Sequence, residues 1–126
     1  MDKKMALILV IDDEEGMRAL LRNFLEREGH KVLEAPDGMA GIRLYQENRP
    51  DLVITDIFMP EKEGTQTILE LRKNNPNVKI IAISGGEMAA RFDVLGTAKI
   101  FGALRVLAKP FRLEDMRQAV NELLAQ

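Results

Sequence analysis

Cysteine is absent from this chain, so disulfide bridges and thiolate metal sites are excluded. Histidine occurs once, as His30, which removes histidine-based metal centres and histidine-dependent triads from consideration. No apolar run approaches the length of a membrane span, so no membrane partner is expected. Neither charge sign dominates: 18 basic and 20 acidic residues leave a formal net charge of −2, with no basic footprint for nucleic acid. The seven methionines do not fall at helical spacing, which argues against a Met-rich groove. There is no repeat, low-complexity tract or linker, and the 126 residues are expected to form one domain, 1–126. Met1-Asp2-Lys3-Lys4 passes straight into a strand-like run without a signal-peptide core, so a cytoplasmic location is expected.

What is present is an alternation of short apolar runs with helical patterns, which predicts an α/β fold with parallel strands. Met17, Leu20, Leu21, Phe24 and Leu25 follow helical spacing up to a stop at Gly29. Val32 to Ala35 reads as a strand, and Asp37-Gly38 opens a helix through Ile42 and Tyr45. A helix carrying Ile68 and Leu71 ends near Asn74-Asn75-Pro76, because proline disfavours helical geometry in the residue before it. Leu95, Ala98 and Phe101 suggest another helix stopping at Gly102, and Leu113, Met116, Val120 and Leu123 a final amphipathic one. Five βα units with right-handed crossovers predict a three-layer αβα sandwich: a flavodoxin-like, doubly wound, five-stranded parallel sheet in the order 2-1-3-4-5.

Four of the apolar runs end on polar residues of different kinds. Ala6 to Ile11 leads into Asp12-Asp13, Asp51 to Thr55 into Asp56, Lys79 to Ile83 into Ser84, and Arg105 to Ala108 into Lys109-Pro110. In an open parallel sheet, ligands bind beyond the carboxyl ends of the strands, at the point where strand order reverses. Three carboxylates converging there repel one another, and Mg²⁺, which takes one or two carboxylates and keeps water or phosphate oxygens, resolves the repulsion. An aspartate can accept phosphate as an acyl phosphate, with a lysine and a hydroxyl holding the phosphoryl oxygens. Each residue alone has a simpler reading: Asp12 or Asp13 as a helix cap, Ser84 as a turn residue, Lys109 as a surface charge. Their coincidence at four strand ends is what favours phosphate chemistry. His30, at a helix-to-strand turn, reads as structural, and Tyr45 as packing.

These residues carry a resemblance. From about Ala6 to Leu124 the chain resembles the receiver domain of two-component response regulators. The matching motifs are Ile11-Asp12-Asp13-Glu14, Asp37-Gly38, Asp56-Ile57-Phe58-Met59-Pro60 with Gly64, Ile83-Ser84-Gly85, and Gly102-Ala103 leading to Lys109-Pro110-Phe111. The resemblance implies that Asp56 takes a phosphoryl group from a sensor histidine kinase or phosphotransfer protein. It implies Mg²⁺ held directly by Asp13, Asp56 and the main-chain carbonyl of Phe58, with Asp12 acting through water. Ser84 and Lys109 would each hold a phosphoryl oxygen, and the Lys109–Pro110 bond would be cis. A downstream effector protein or output domain, or a second copy in a homodimer, would read the change.

Two departures fall on the switching face. Where many receivers carry an aromatic residue three positions before the lysine, this chain has Val106, and the segment from Ser84 to Lys109 is longer than usual. Output is therefore expected to depend on the Gly85-Gly86 loop and an apolar surface around Leu104 and Val106, next to Pro110. An aspartyl-phosphate hydrolase typically places a second aspartate two residues after the first; Phe58 stands there and cannot transfer a proton. A phosphorylation-independent receiver is disfavoured by the full set of Asp13, Asp56, Ser84 and Lys109, and a flavin carrier by an acidic crevice.

Overall fold

A computed structural model describes residues 5–57, 64–85 and 104–126. In chain order these form β1 (Leu7–Ile11), α1 (Glu15–Arg27), β2 (Lys31–Ala35), α2 (Gly38–Asn48), β3 (Leu52–Asp56), α3 (Gly64–Asn74), β4 (Ile80–Ser84), β5 (Arg105–Ala108) and α4 (Leu113–Leu124). The helix expected over Leu95, Ala98 and Phe101, together with Phe58, Gly86 and Gly102, lies outside the described residues.

The strands form a single parallel sheet in the order β2-β1-β3-β4-β5, as the alternating pattern predicts. Both faces are covered, which is why β3 and β4 are buried along their whole length and read as continuous apolar runs. Alternation along each strand divides the core in two. Ile8, Val10, Leu52, Ile54, Ile81 and Ile83 meet Leu21, Phe24 and Leu25 of α1 and Met116, Val120 and Leu123 of α4 on one face. On the other, Leu9, Ile11, Val53, Ile80 and Ala82 meet Tyr45 of α2 and Ile68 and Leu71 of α3. The α2 helix lies so close to β1 that a Cβ added at Gly41 would stand 2.4 Å from Ile11 Cδ1.

Local chemistry sets the helix ends. Gly29, at φ +96°, takes the left-handed conformation that stops α1. Asp37 caps α2 by accepting the Ala40 N–H on Oδ1 at 2.8 Å. His30 is buried and accepts the Ala6 N–H on Nδ1 at 3.2 Å, in keeping with a structural role. Tyr45 is buried too, its hydroxyl accepting from Asn75 Nδ2 at 3.0 Å.

The register aligns the functional strand ends. Ile11 pairs with both Ala35 and Thr55, Asp56 with Ile83, and Ser84 with Ala108. Asp12, Asp56, Ser84 and Lys109 therefore emerge along one edge, with the order reversal between β1 and β3 at its centre.

Candidate functional site

Asp12, Asp13 and Asp56 each bring a carboxylate oxygen within 4.8 Å of the others. Asp12 and Asp56 are buried and Asp13 is exposed, so the cluster is a partly covered pocket with one open side. Lys109 reaches into it from the end of β5, with Nζ 3.1 Å from Asp56 Oδ2, 3.1 Å from Glu14 Oε1 and 3.7 Å from Asp12 Oδ2. The Lys109–Pro110 peptide bond is cis, as the resemblance implies.

The electrostatics follow from that crowding. Burial pushes the Asp12 carboxyl up from 3.8 to about 6; the Glu14 N–H bond and Lys109 oppose the rise, while Asp56 and Glu14 add to it. Burial also works against the Lys109 charge, but Glu14, Asp56 and Asp12 outweigh it and hold the ammonium well above the ordinary lysine range. Among the described residues, the Lys109 ammonium therefore faces three acidic side chains, with Asp13 a fourth acid in the cluster. Asp12 Oδ2 is buried and makes no hydrogen bond among the described residues. Hard oxygen donors, excess negative charge and a buried oxygen without a hydrogen bond among the described residues make the cluster compatible with a divalent cation of the Mg²⁺ type.

Asp12 and Asp13 do not cap α1 with their side chains: Glu14 occupies the cap position, and Asp12 Oδ1 accepts the Glu14 N–H at 2.8 Å in the turn before the helix. Ser84 ends β4 fully buried, and its Oγ likewise makes no hydrogen bond among the described residues. An unsatisfied buried hydroxyl costs about 1–3 kcal/mol, which suits a group reserved for a ligand. Its main-chain oxygen accepts the Lys109 N–H at 2.6 Å, coupling the ends of β4 and β5. The main-chain carbonyl of Phe58 lies outside the described residues. Val106 is half-buried against the α2/α3 side of the core, while Leu104 stands 42 % exposed just before β5.

Three relationships at the site were not foreseen from sequence. Glu14 is the second anchor of Lys109, visible beforehand only as the third acid in Asp12-Asp13-Glu14. Gly85 lies under the Lys109 stem, where a Cβ would come within 2.8 Å of Cδ and 3.3 Å of Cβ. Beside the cluster, Met17, Leu20, Phe111 and Leu113 form an apolar groove of about 480 Å³ that also includes Lys109 and Pro110.

The sequence and the fold have known counterparts. A sequence model of the response regulator receiver domain matches residues 8–121. The chain is 31% identical over 118 residues to sporulation initiation phosphotransferase F of Bacillus subtilis (strain 168), covering 93% of this chain and 92% of that protein. It is 32% identical over 124 residues to the probable C4-dicarboxylate response regulator DctR of Priestia megaterium, covering 97% of this chain but 53% of the relative. Among solved structures, a response regulator receiver domain protein from Clostridium thermocellum superposes with a TM-score of 0.89 at 33% identity, over 96% of this chain and 95% of that one. The chain belongs to the response regulator receiver domain family, the phosphoacceptor modules of two-component signalling. It spans nearly all of the first relative and about half of the second.

Proposed function

We propose that residues 1–126 act as a single receiver domain in which Asp56 is the phosphoacceptor. The observation that carries this reading is the position of Asp56 within the cluster, beside Asp12 and Asp13 and 3.1 Å from the Lys109 ammonium. A carboxylate oxygen of Asp56 attacks the phosphorus of a phosphohistidine on a sensor histidine kinase or phosphotransfer protein. The O–P bond forms as the P–N bond breaks, and the departing imidazole keeps the electron pair and takes up a proton. Lys109 exchanges its contact with Asp56 Oδ2 for a phosphoryl oxygen, and Ser84 offers its unpaired hydroxyl to another.

Asp13 and Asp56 would hold Mg²⁺ directly, with the Phe58 carbonyl, and Asp12 through water. When bound, the ion offsets the repulsion between the acidic cluster and the incoming phosphoryl group. The same groups serve loss of the phosphoryl group to water, so the chain assists its own phosphorylation and dephosphorylation without turning over a separate substrate.

The groove of Met17, Leu20, Phe111 and Leu113 supports a docking place for the phosphodonor protein, because Lys109 belongs both to the groove and to the acceptor site. Exposed Leu104, beside edge strand β5 and next to Val106, supports an output surface for an effector protein, an output domain or a second copy of the chain. No described helix is long and apolar enough to cross a membrane, and the net charge of −2 offers nothing to nucleic acid; we place the module in the cytoplasm with its donor. The test is intact mass after incubation with acetyl phosphate: a phosphoryl adduct with Mg²⁺ and almost none in chelator. An equal adduct in chelator contradicts the cation's role.

A further inference from the structure

The backbone of Asp12 is tied down on every side. Its N–H donates to the Ala35 carbonyl on β2 at 3.1 Å, and its own carbonyl accepts from Arg18 Nη1 at 2.8 Å. Its Oδ1 accepts the Glu14 N–H at 2.8 Å, which leaves Oδ2 as the atom without a hydrogen bond among the described residues. Arg18 is itself aimed: its Nε donates to Glu34 Oε1 at 3.2 Å, and both side chains are mostly covered, at 16% and 24% exposed. The other oxygen of Glu34 accepts from Arg22 Nη1 at 2.7 Å, and Arg22 also pairs with Glu26 but touches no part of Asp12. Two adjacent residues of β2 thus grip both peptide groups of Asp12, Ala35 directly and Glu34 through Arg18.

We infer that Arg18, oriented by Glu34, is a positioning residue that sets the Asp12-Asp13-Glu14 turn so that Asp12 Oδ2 faces the cation and phosphoryl site. This rests on the proposed reading of Asp12, Asp13 and Asp56 as the cation site. The chemistry requires a guanidinium. Its Nε and Nη1 hydrogens leave in fixed, different directions, one to a carboxylate and one to a carbonyl, whereas a lysine ammonium supplies the same charge from a single point. Since Glu34 neutralises Arg18, the contribution to the site is geometric. Groups one shell removed from a metal commonly change its affinity by about 10–100-fold when lost.

The experiment measures binding of Mn²⁺ alone to the whole chain, by the loss of free-ion paramagnetic resonance signal. It compares the parent with Arg18→Lys, Arg18→Ala, Glu34→Gln and Arg22→Ala, alongside thermal unfolding in chelator. Arg18→Lys and Arg18→Ala should weaken Mn²⁺ binding by about tenfold or more, while Arg22→Ala stays within about twofold of the parent. With acetyl phosphate, Arg18→Lys should need more Mg²⁺ for half-maximal phosphorylation yet approach the parental rate at saturation, a split that a general loss of fold does not produce. Should Arg18→Ala fail to fold, Arg18→Lys and Glu34→Gln decide the matter. Parental Mn²⁺ affinity in Arg18→Lys, or an equal loss in Arg22→Ala, overturns the inference. Absence of Mn²⁺ binding by the parent overturns the cation reading itself, and this inference with it.

Discussion

Lys109 Nζ lies 3.1 Å from Asp56 Oδ2, although the two residues stand at the ends of strands separated by β4 in the sheet. The contact spans that gap because the Lys109 stem passes over Gly85. The ammonium is thus already beside the carboxylate we propose as the phosphoacceptor, next to where the phosphoryl oxygens would gather charge during transfer. Removing a preorganised charge of this kind commonly costs about a hundredfold or more in rate. Lys109→Ala should slow Asp56 phosphorylation by acetyl phosphate to that degree, and Ser84→Ala, which loses a small neutral group, far less. Equal rates in a time course of intact masses would contradict this division of labour.

Gly85 gives a subtler test of the same contact. A methyl group there collides with Lys109 Cδ at 2.8 Å, with Cβ and Cγ also closer than ordinary contact, so the stem must shift as a whole. Misplacing a catalytic group by about an ångström can cost up to a hundredfold. Gly85→Ala should therefore slow phosphorylation by roughly tenfold or more while unfolding at nearly the parental temperature. A parental rate would show that the Lys109 path is not constrained.

The Asp12 carboxyl predicts an unusual pH dependence in chelator. Its folded-state pKa, about 6, lies above the ordinary 3.8, so the folded protein holds the proton more tightly than the unfolded chain. Stability from this group is then greatest below about pH 4, falls as the pH rises towards 6, and stays low above that. The penalty from ionising Asp12 at neutral pH is on the order of 2–3 kcal/mol. Asp12→Asn should raise the unfolding temperature of the cation-free protein near neutral pH and lose that gain in acid. A stabilisation independent of pH, or none at all, counts against a charged, buried Asp12.

Acidic substitutions at two apolar residues should separate the input surface from the output surface. Leu20→Glu, in the groove beside Lys109, should leave phosphorylation by acetyl phosphate unchanged and slow transfer from a phosphohistidine donor by about tenfold, as for a packed anchor. Leu104→Glu should leave both reactions intact and weaken self-association or effector binding, read by sedimentation of the phosphorylated chain. If Leu20→Glu slows both donors equally, the groove is not a docking surface.

The fold was legible because apolar runs and their polar terminators carry both strand identity and strand direction. Once Ile11, Thr55, Ile83 and Ala108 are recognised as the last residues of their runs, Asp12, Asp56, Ser84 and Lys109 follow at one edge. Other relationships leave no local pattern. Glu14 and Lys109 meet across 95 residues of chain, and nothing in either neighbourhood marks the pairing. Gly85 looks like the start of a loose turn, whereas its lack of a Cβ is what admits the Lys109 stem. Arg18 sits among exposed helix positions by spacing, yet it turns back to the Asp12 carbonyl, a contact that requires knowing where β2 places Glu34.

The central claim is that Asp56 carries the phosphoryl group, and site-resolved trapping tests it most directly. After treatment with acetyl phosphate and Mg²⁺, borohydride reduction converts an aspartyl phosphate to homoserine, and peptide mass mapping locates the change. The account predicts homoserine at position 56 alone, and no adduct in Asp56→Asn. Homoserine at Asp12 or Asp13 in the parent, with Asp56 unmodified, would contradict it.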